Sequence, residues 1–156
     1  MTFQPKGIIP AMVTPVTRDG KINVEALRKL TNYLIEGGVH GLFPVGSQGE
    51  FYALTFEEKK RVIEVVVEET RGRVPVYAGT GAITTREAIA LTKMAEAAGA
   101  NAVSVLTPFF IHPNETELFE FYDAIAHATR LPVLLYNNPG RTGVSISANF
   151  VVRASK

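Results

Sequence analysis

Short apolar runs rich in β-branched residues alternate along this chain with longer stretches whose apolar positions recur every three or four residues. GIIPAMV (7–13), GLFPV (41–45), VPVYAG (74–79), NAVSVL (101–106) and LPVLLY (131–136) are the short runs. Their length and composition predict five strands. The stretches between them predict amphipathic helices. NVEALRKLTNYLIEGG (23–38) repeats Leu27, Leu30, Tyr33 and Leu34 at helical spacing and stops at Gly37 and Gly38. Thr55 reads as the N-cap of FEEKKRVIEVVVEETRG, with Glu57 and Glu58 in the first turn where the helix dipole favours them. TTREAIALTKMAEAAGA takes Thr84 or Thr85 as its cap and Gly99 as its stop. NETELFEFYDAIAHATR (114–130) is the next helix, and SISANFVVRASK opens another after the fifth strand.

This rhythm implies parallel strands joined by right-handed helical crossovers. Two architectures fit, an open doubly wound sheet and part of a (β/α)8 barrel. A dinucleotide-binding start would show G-x-G-x-x-G after the first strand, where this chain has TPVTRDG. No G-x-x-x-x-G-K-[ST] phosphate loop occurs either. Polar and glycine-rich residues instead recur after successive strands, as TP, GSQGEF, GTGAITT, TPFF and NNPGRTG. A barrel builds its site from such loops. A complete barrel takes roughly 250 residues, so the expectation for residues 1–156 is one incomplete α/β barrel domain, about the first five βα units of a (β/α)8 TIM barrel.

Composition narrows the function classes. Hydrophobic content of 46% and charged content of 20% describe a globular chain. A net charge of +1 with dispersed basic residues offers nothing to nucleic acid or an anionic membrane. The absence of cysteine removes disulfides, thiolate nucleophiles and cysteine-ligated zinc. Pro10 and Pro15 interrupt the apolar N-terminal patch, which lacks the organisation of a signal peptide. The expectation is a soluble, cytoplasmic protein.

Four stretches carry candidate chemistry. In GSQGEFYAL (46–54), Gly46 and Gly49 let the backbone N–H groups of Ser47 and Gln48 form an anion-binding nest, and the Ser47 hydroxyl can bind the same anion or relay a proton. A plain strand-to-helix turn would use the same glycines. In GTGAITT (79–85), packing and capping account for the residues. His40, His112 and His127 have no partner at metal-ligand spacing, and Glu50 is the one carboxylate beside a strand-end loop. No metal is expected at any of them. Tyr136 ends the fifth strand, where a phenol can shuttle a proton in the barrel mouth or simply cap the core with its hydroxyl in water. Arg141, five residues on, offers a planar fork for a carboxylate or lies on the surface.

Taken together, PAMVTPV, GSQGE, AGTGA, TPFF and YNNPGRTG, in this order along essentially the whole chain, resemble the dihydrodipicolinate synthase / N-acetylneuraminate lyase family of class I, pyruvate-dependent aldolases. The resemblance implies a (β/α)8 barrel assembled into homotetramers, and a strand-six lysine that forms a Schiff base with pyruvate or another 2-keto acid. It implies that Ser47 and Gln48 hold the pyruvate carboxylate, that Tyr136 shuttles protons, and that Arg141 grips the carboxylate of an aldehyde substrate. The arginine favours the synthase branch, which condenses pyruvate with aspartate semialdehyde in lysine biosynthesis.

Two residues depart from that branch. Ser47 and Gln48 stand where synthases carry two threonines, and Phe110 stands where a tyrosine is donated across a subunit contact. An aldolase acting on another 2-keto acid, like N-acetylneuraminate lyase or a 2-keto-3-deoxy sugar acid aldolase, is the alternative. Lys6, Lys21, Lys29, Lys59, Lys60, Lys93 and Lys156 lie outside strand C-termini, where an amine nucleophile would have to be desolvated and aimed. The Schiff-base lysine is therefore expected outside residues 1–156, which alone should be inactive. A non-catalytic half-barrel that only binds or assembles is the rival from another class.

Overall fold

The computed structural model describes residues 4–155; Lys156 lies outside them. Three strands are regular: β1 (Tyr77–Gly79), β2 (Ala102–Leu106) and β3 (Val133–Tyr136). They pair in parallel in the order β1-β2-β3, with Gly79 opposite Ser104 and Leu106 opposite Tyr136.

The two runs expected as the first strands extend this sheet without becoming regular strands. Ala11 bridges Phe43 and Leu42 bridges Val76, both in parallel. Prolines explain the interruption. Pro10, Pro44 and Pro75 have no N–H to give, so each serves its neighbour only through its carbonyl, accepting from Phe43, Gly79 and Leu42 at 3.0 Å. Spatial order across the sheet therefore equals chain order, with residues 8–12 at one edge and β3 at the other. A doubly wound sheet would reverse direction at a switch point and bury its first strand centrally, so this order is that of a barrel wall.

The helices are set by their caps. Asn23 accepts from Ala26 N at 3.0 Å to start α1 (Val24–Glu36). Reciprocal Thr55–Glu58 and Asn114–Glu117 capping boxes start α2 (Phe56–Thr70) and α4 (Glu115–His127). Thr84, rather than Thr85, caps α3 (Thr85–Ala97). A further turn, α5 (Pro139–Thr142), forms within the NNPGRTG loop, and Ser147 caps α6 (Ala148–Ala154). Caps of this kind are worth about 0.5–2 kcal/mol each.

Sheet residues Leu42, Val76, Val103 and Val105 are sealed against Leu27, Ile63, Leu91 and Ile125 of the helices. Tyr33 differs from the expectation: it is 73% exposed. It lies about 120° around α1 from Leu27 at 100° per residue, and buried Thr31 takes its place on the core face. No helix among the described residues is long and apolar enough to cross a membrane.

Candidate functional site

The loops that follow the parallel segments converge on one cavity of about 430 Å³, lined among others by Ser47, Gln48, Glu50, Tyr136, Asn138 and Arg141. All four residues singled out from the sequence, Ser47, Gln48, Tyr136 and Arg141, are thus brought together, although Ser47 and Tyr136 are 89 residues apart in the chain.

The backbone turn that carries Ser47 is unusual. Val45 is buried with φ 60, a β-branched residue in the left-handed region, and Glu50 follows at φ 53. Between them Gly46 packs on the Phe43 ring, where a Cβ would come within 2.9 Å of Cζ. Ser47–Gly49 then forms a single 3-10 turn, and its first N–H groups, those of Ser47 and Gln48, have no acceptor within the turn. The Thr14 hydroxyl holds the far side by donating to Gly49 O at 2.8 Å. This is how the TP loop after the first segment enters the site.

Tyr136 ends β3 and points inward. Its ring meets Phe43 edge-on at 6.0 Å, and its hydroxyl donates to Ser47 Oγ at 3.3 Å. The phenol is therefore inside the cavity, not merely capping the core. Asn138 Nδ2 donates to the same phenol oxygen at 3.1 Å, a partner that the sequence reading missed. The available signal was a polar side chain two residues beyond the strand-end tyrosine.

The α5 turn carries Arg141 to the rim. Its amide and that of Thr142 donate to Asn138 O at 3.0 Å, and the buried Thr107 hydroxyl donates to Thr142 Oγ1 at 2.9 Å. Among the described residues the Arg141 guanidinium takes part in none of the ion pairs, so its fork is open toward the cavity. Phe51 and Phe109, edge-on at 5.7 Å, form the apolar wall.

The remaining candidates fall elsewhere. Gly79 and Gly81 of GTGAITT are packing positions, since a Cβ on either would collide with Val45 O or Leu106. His40 accepts from Ile8 N, and His127 is exposed beside Asp123 on α4. No three His, Asp or Glu side chains cluster to hold a metal among the described residues. Burial pushes the Tyr77 and Tyr122 phenols up, and neither lines the cavity. Among the described residues no lysine lines it either; Lys59, buried on α2, lies over the Phe51 ring at 5.9 Å to the centroid. Phe110 is 89% exposed with φ 75 and is not among the residues that line the cavity.

A family model described as the dihydrodipicolinate synthetase family matches residues 4–156. A 4-hydroxy-tetrahydrodipicolinate synthase from Phenylobacterium zucineum is 48% identical over 151 residues, 97% of this chain and 51% of that protein. One from Methanopyrus kandleri is 46% identical over 147 residues, 94% and 49% of the two. Among solved structures, a chloride-inhibited dihydrodipicolinate synthase from Acinetobacter baumannii complexed with pyruvate superposes with a TM-score of 0.94 at 43% identity, covering 96% of this chain and 52% of that one. The chain spans about half the length of the curated relatives it matches. Its fold is that of about the first five βα units of their (β/α)8 barrel.

Proposed function

Because the chain belongs to the dihydrodipicolinate synthetase family, we propose that it supplies the substrate-facing N-terminal part of a single barrel domain in a Schiff-base-forming, pyruvate-dependent lyase most like 4-hydroxy-tetrahydrodipicolinate synthase. One observation carries this: Tyr136 Oη and Ser47 Oγ are hydrogen-bonded at 3.3 Å in a cavity whose rim presents the open Arg141 guanidinium. A phenol linked to a hydroxyl can pass protons, and an unpaired guanidinium beside them suits a carboxylate.

The pyruvate carboxylate is held by the Ser47 hydroxyl with the Ser47 and Gln48 backbone amides, which fixes its keto carbon near Tyr136. A lysine amine from the sixth strand, a segment the five units do not include, attacks that carbon. Tyr136 gives a proton to the departing hydroxyl as water leaves and the imine forms. Tyr136, now lacking its proton, takes one from the neighbouring methyl carbon while the imine accepts the electron pair of the broken C–H bond, so no organic cofactor or metal is needed for the enamine that attacks the aldehyde. Arg141 orients an aldehyde that carries its own carboxylate, as aspartate semialdehyde does. The working protein is a cytoplasmic homo-oligomer; exposed Phe110 and Ile111, beside each other at the loop tip, support an association surface.

Borohydride trapping of the native gene product with pyruvate tests this. A covalent pyruvate adduct on a lysine outside residues 1–156 is expected. An adduct on Lys59 or any other lysine of this chain would overturn the assignment of the amine, and no adduct at saturating pyruvate would overturn the reaction class.

Ser47, Gln48 and Phe110 favour a second reading, an aldolase for another 2-keto acid such as a sialic acid or a 2-keto-3-deoxy sugar acid. Turnover of sugar-derived aldehydes at rates above that of aspartate semialdehyde would select it.

A further inference from the structure

We propose that Asn138 is the positioning residue for the Tyr136 phenol: its amide donates to the phenol oxygen and thereby directs the phenol's own proton toward Ser47. This rests on the lyase function proposed above. Tyr136 Oη has one proton to give and lone pairs to receive. Its contact with Ser47 Oγ is 3.3 Å, long for an O–H···O bond, so Ser47 alone holds the hydroxyl rotor loosely. The 3.1 Å donation from Asn138 Nδ2 occupies a lone pair of the oxygen and leaves Ser47 as the acceptor in reach. Among the described residues Asn138 is the only side chain that donates to this phenol. Gln48, Glu50 and Arg141 also line the cavity, but among the described residues the phenol's side-chain hydrogen bonds go to Ser47 and Asn138 alone.

The backbone makes this aim rigid. Asn138 precedes Pro139 at the start of α5, and its carbonyl accepts from Arg141 N, Thr142 N and the Thr142 hydroxyl. Its side chain therefore leaves a fixed point two residues beyond the end of β3. Polarity matters as much as place. If an acceptor faced the phenol, the Tyr136 proton would turn to it and away from Ser47. Asn138→Asp creates that arrangement at constant volume, and Asn138→Ala removes the donor.

The experiment uses the native gene product carrying this chain. Imine formation with pyruvate is followed by rapid borohydride quenching in wild type, N138A and N138D. The rate constant falls about tenfold in N138A and at least as far in N138D, part of what general acid–base catalysis contributes. Half-saturating pyruvate stays within about twofold, because the carboxylate contacts are untouched. Rates within about twofold of wild type in both variants overturn the proposal. So does a parallel loss of rate and pyruvate affinity, which marks a packing role. A second readout is independent of the reaction: the ¹⁵N side-chain amide resonance of Asn138 shifts on Tyr136→Phe without pyruvate. An unmoved resonance overturns the proposal by itself. Should wild type form no adduct, the lyase function falls and this resonance alone decides whether Asn138 holds the phenol.

Discussion

Gly79 in β1 lies so close beneath the Val45 backbone that a Cβ at position 79 would sit on the Val45 carbonyl. Gly79 N also donates to Pro44 O at 3.0 Å. Val45 is held at φ 60 directly before the turn bearing Ser47, so the missing side chain at 79 is what lets that strained turn seat itself. Gly79→Ala should destabilise the protein by about 1–3 kcal/mol through overpacking. Gly140→Ala, with nothing within 4 Å of its added Cβ, should stay within about 0.5 kcal/mol of wild type. Urea unfolding midpoints compare them, and equal midpoints would refute the close-packing account.

Tyr136→Phe removes the hydroxyl that reaches Ser47 while preserving the ring contact with Phe43. The expected loss in turnover is about 10²–10⁴-fold, with a thermal midpoint close to wild type. Stopped-flow kinetics and calorimetry check the two halves. A variant that keeps full turnover would remove Tyr136 from the chemistry.

Among the described residues Arg141 has no ion-pair partner of its own to lose, so its replacement reads out substrate contact rather than folding. Arg141→Gln should raise KM about ten- to a hundredfold for an aldehyde bearing a carboxylate, as loss of a charge-assisted pair worth about 1.5–3 kcal/mol requires. The same substitution should leave an uncharged aldehyde nearly unaffected. An equal effect on both aldehydes would show that the guanidinium does not read the carboxylate.

Acid should loosen the α1–α2 contact. The Glu69 carboxylate accepts from Arg28 Nη1 at 2.7 Å and Asn32 Nδ2 at 2.8 Å, and these donors, Arg28 first, hold its pKa below the ordinary 4.5. Thr129 does the same to Glu96, with Arg130 adding to it. A pKa depressed in the folded state means stability that is complete above the unfolded value and drains away as pH falls through the folded one. Stability should therefore decline below pH 4.5, and Glu69→Gln should flatten that decline. Denaturation curves taken from neutral to acid pH measure it, and an unchanged acid limb in the variant would exclude Glu69 as a source.

The βα alternation was legible because β-branched runs and capped amphipathic stretches are local signals, and Thr55 and Thr84 sit where local capping chemistry needs them. The regularity of the first two strands was not, since a proline spoils a ladder only through its neighbour's missing donor partner. Tyr33 was misassigned because a three- or four-residue recurrence does not distinguish the core face of α1 from its flank. Ser47, Gln48, Tyr136 and Arg141 were recognisable by motif, and they do share one cavity. Asn138 escaped because its significance is a hydrogen bond, and nothing in YNNPGRTG separates an amide aimed at a phenol from one aimed at water. The short α5 turn was hidden for a related reason: Pro139 and Gly140 signal a loop, while the carbonyl of Asn138 gathers the donors that close it.

Every parallel neighbour in the sheet is also the next one along the chain. A nascent polypeptide leaving the ribosome can thus dock each unit onto the one just completed, without waiting for a distant partner. Sequence separations between paired segments stay near one βα repeat, which keeps the loop-closure entropy of each addition modest. The wall of the candidate site is laid down in the direction of synthesis, with the Ser47 turn in position before Tyr136 arrives to meet it.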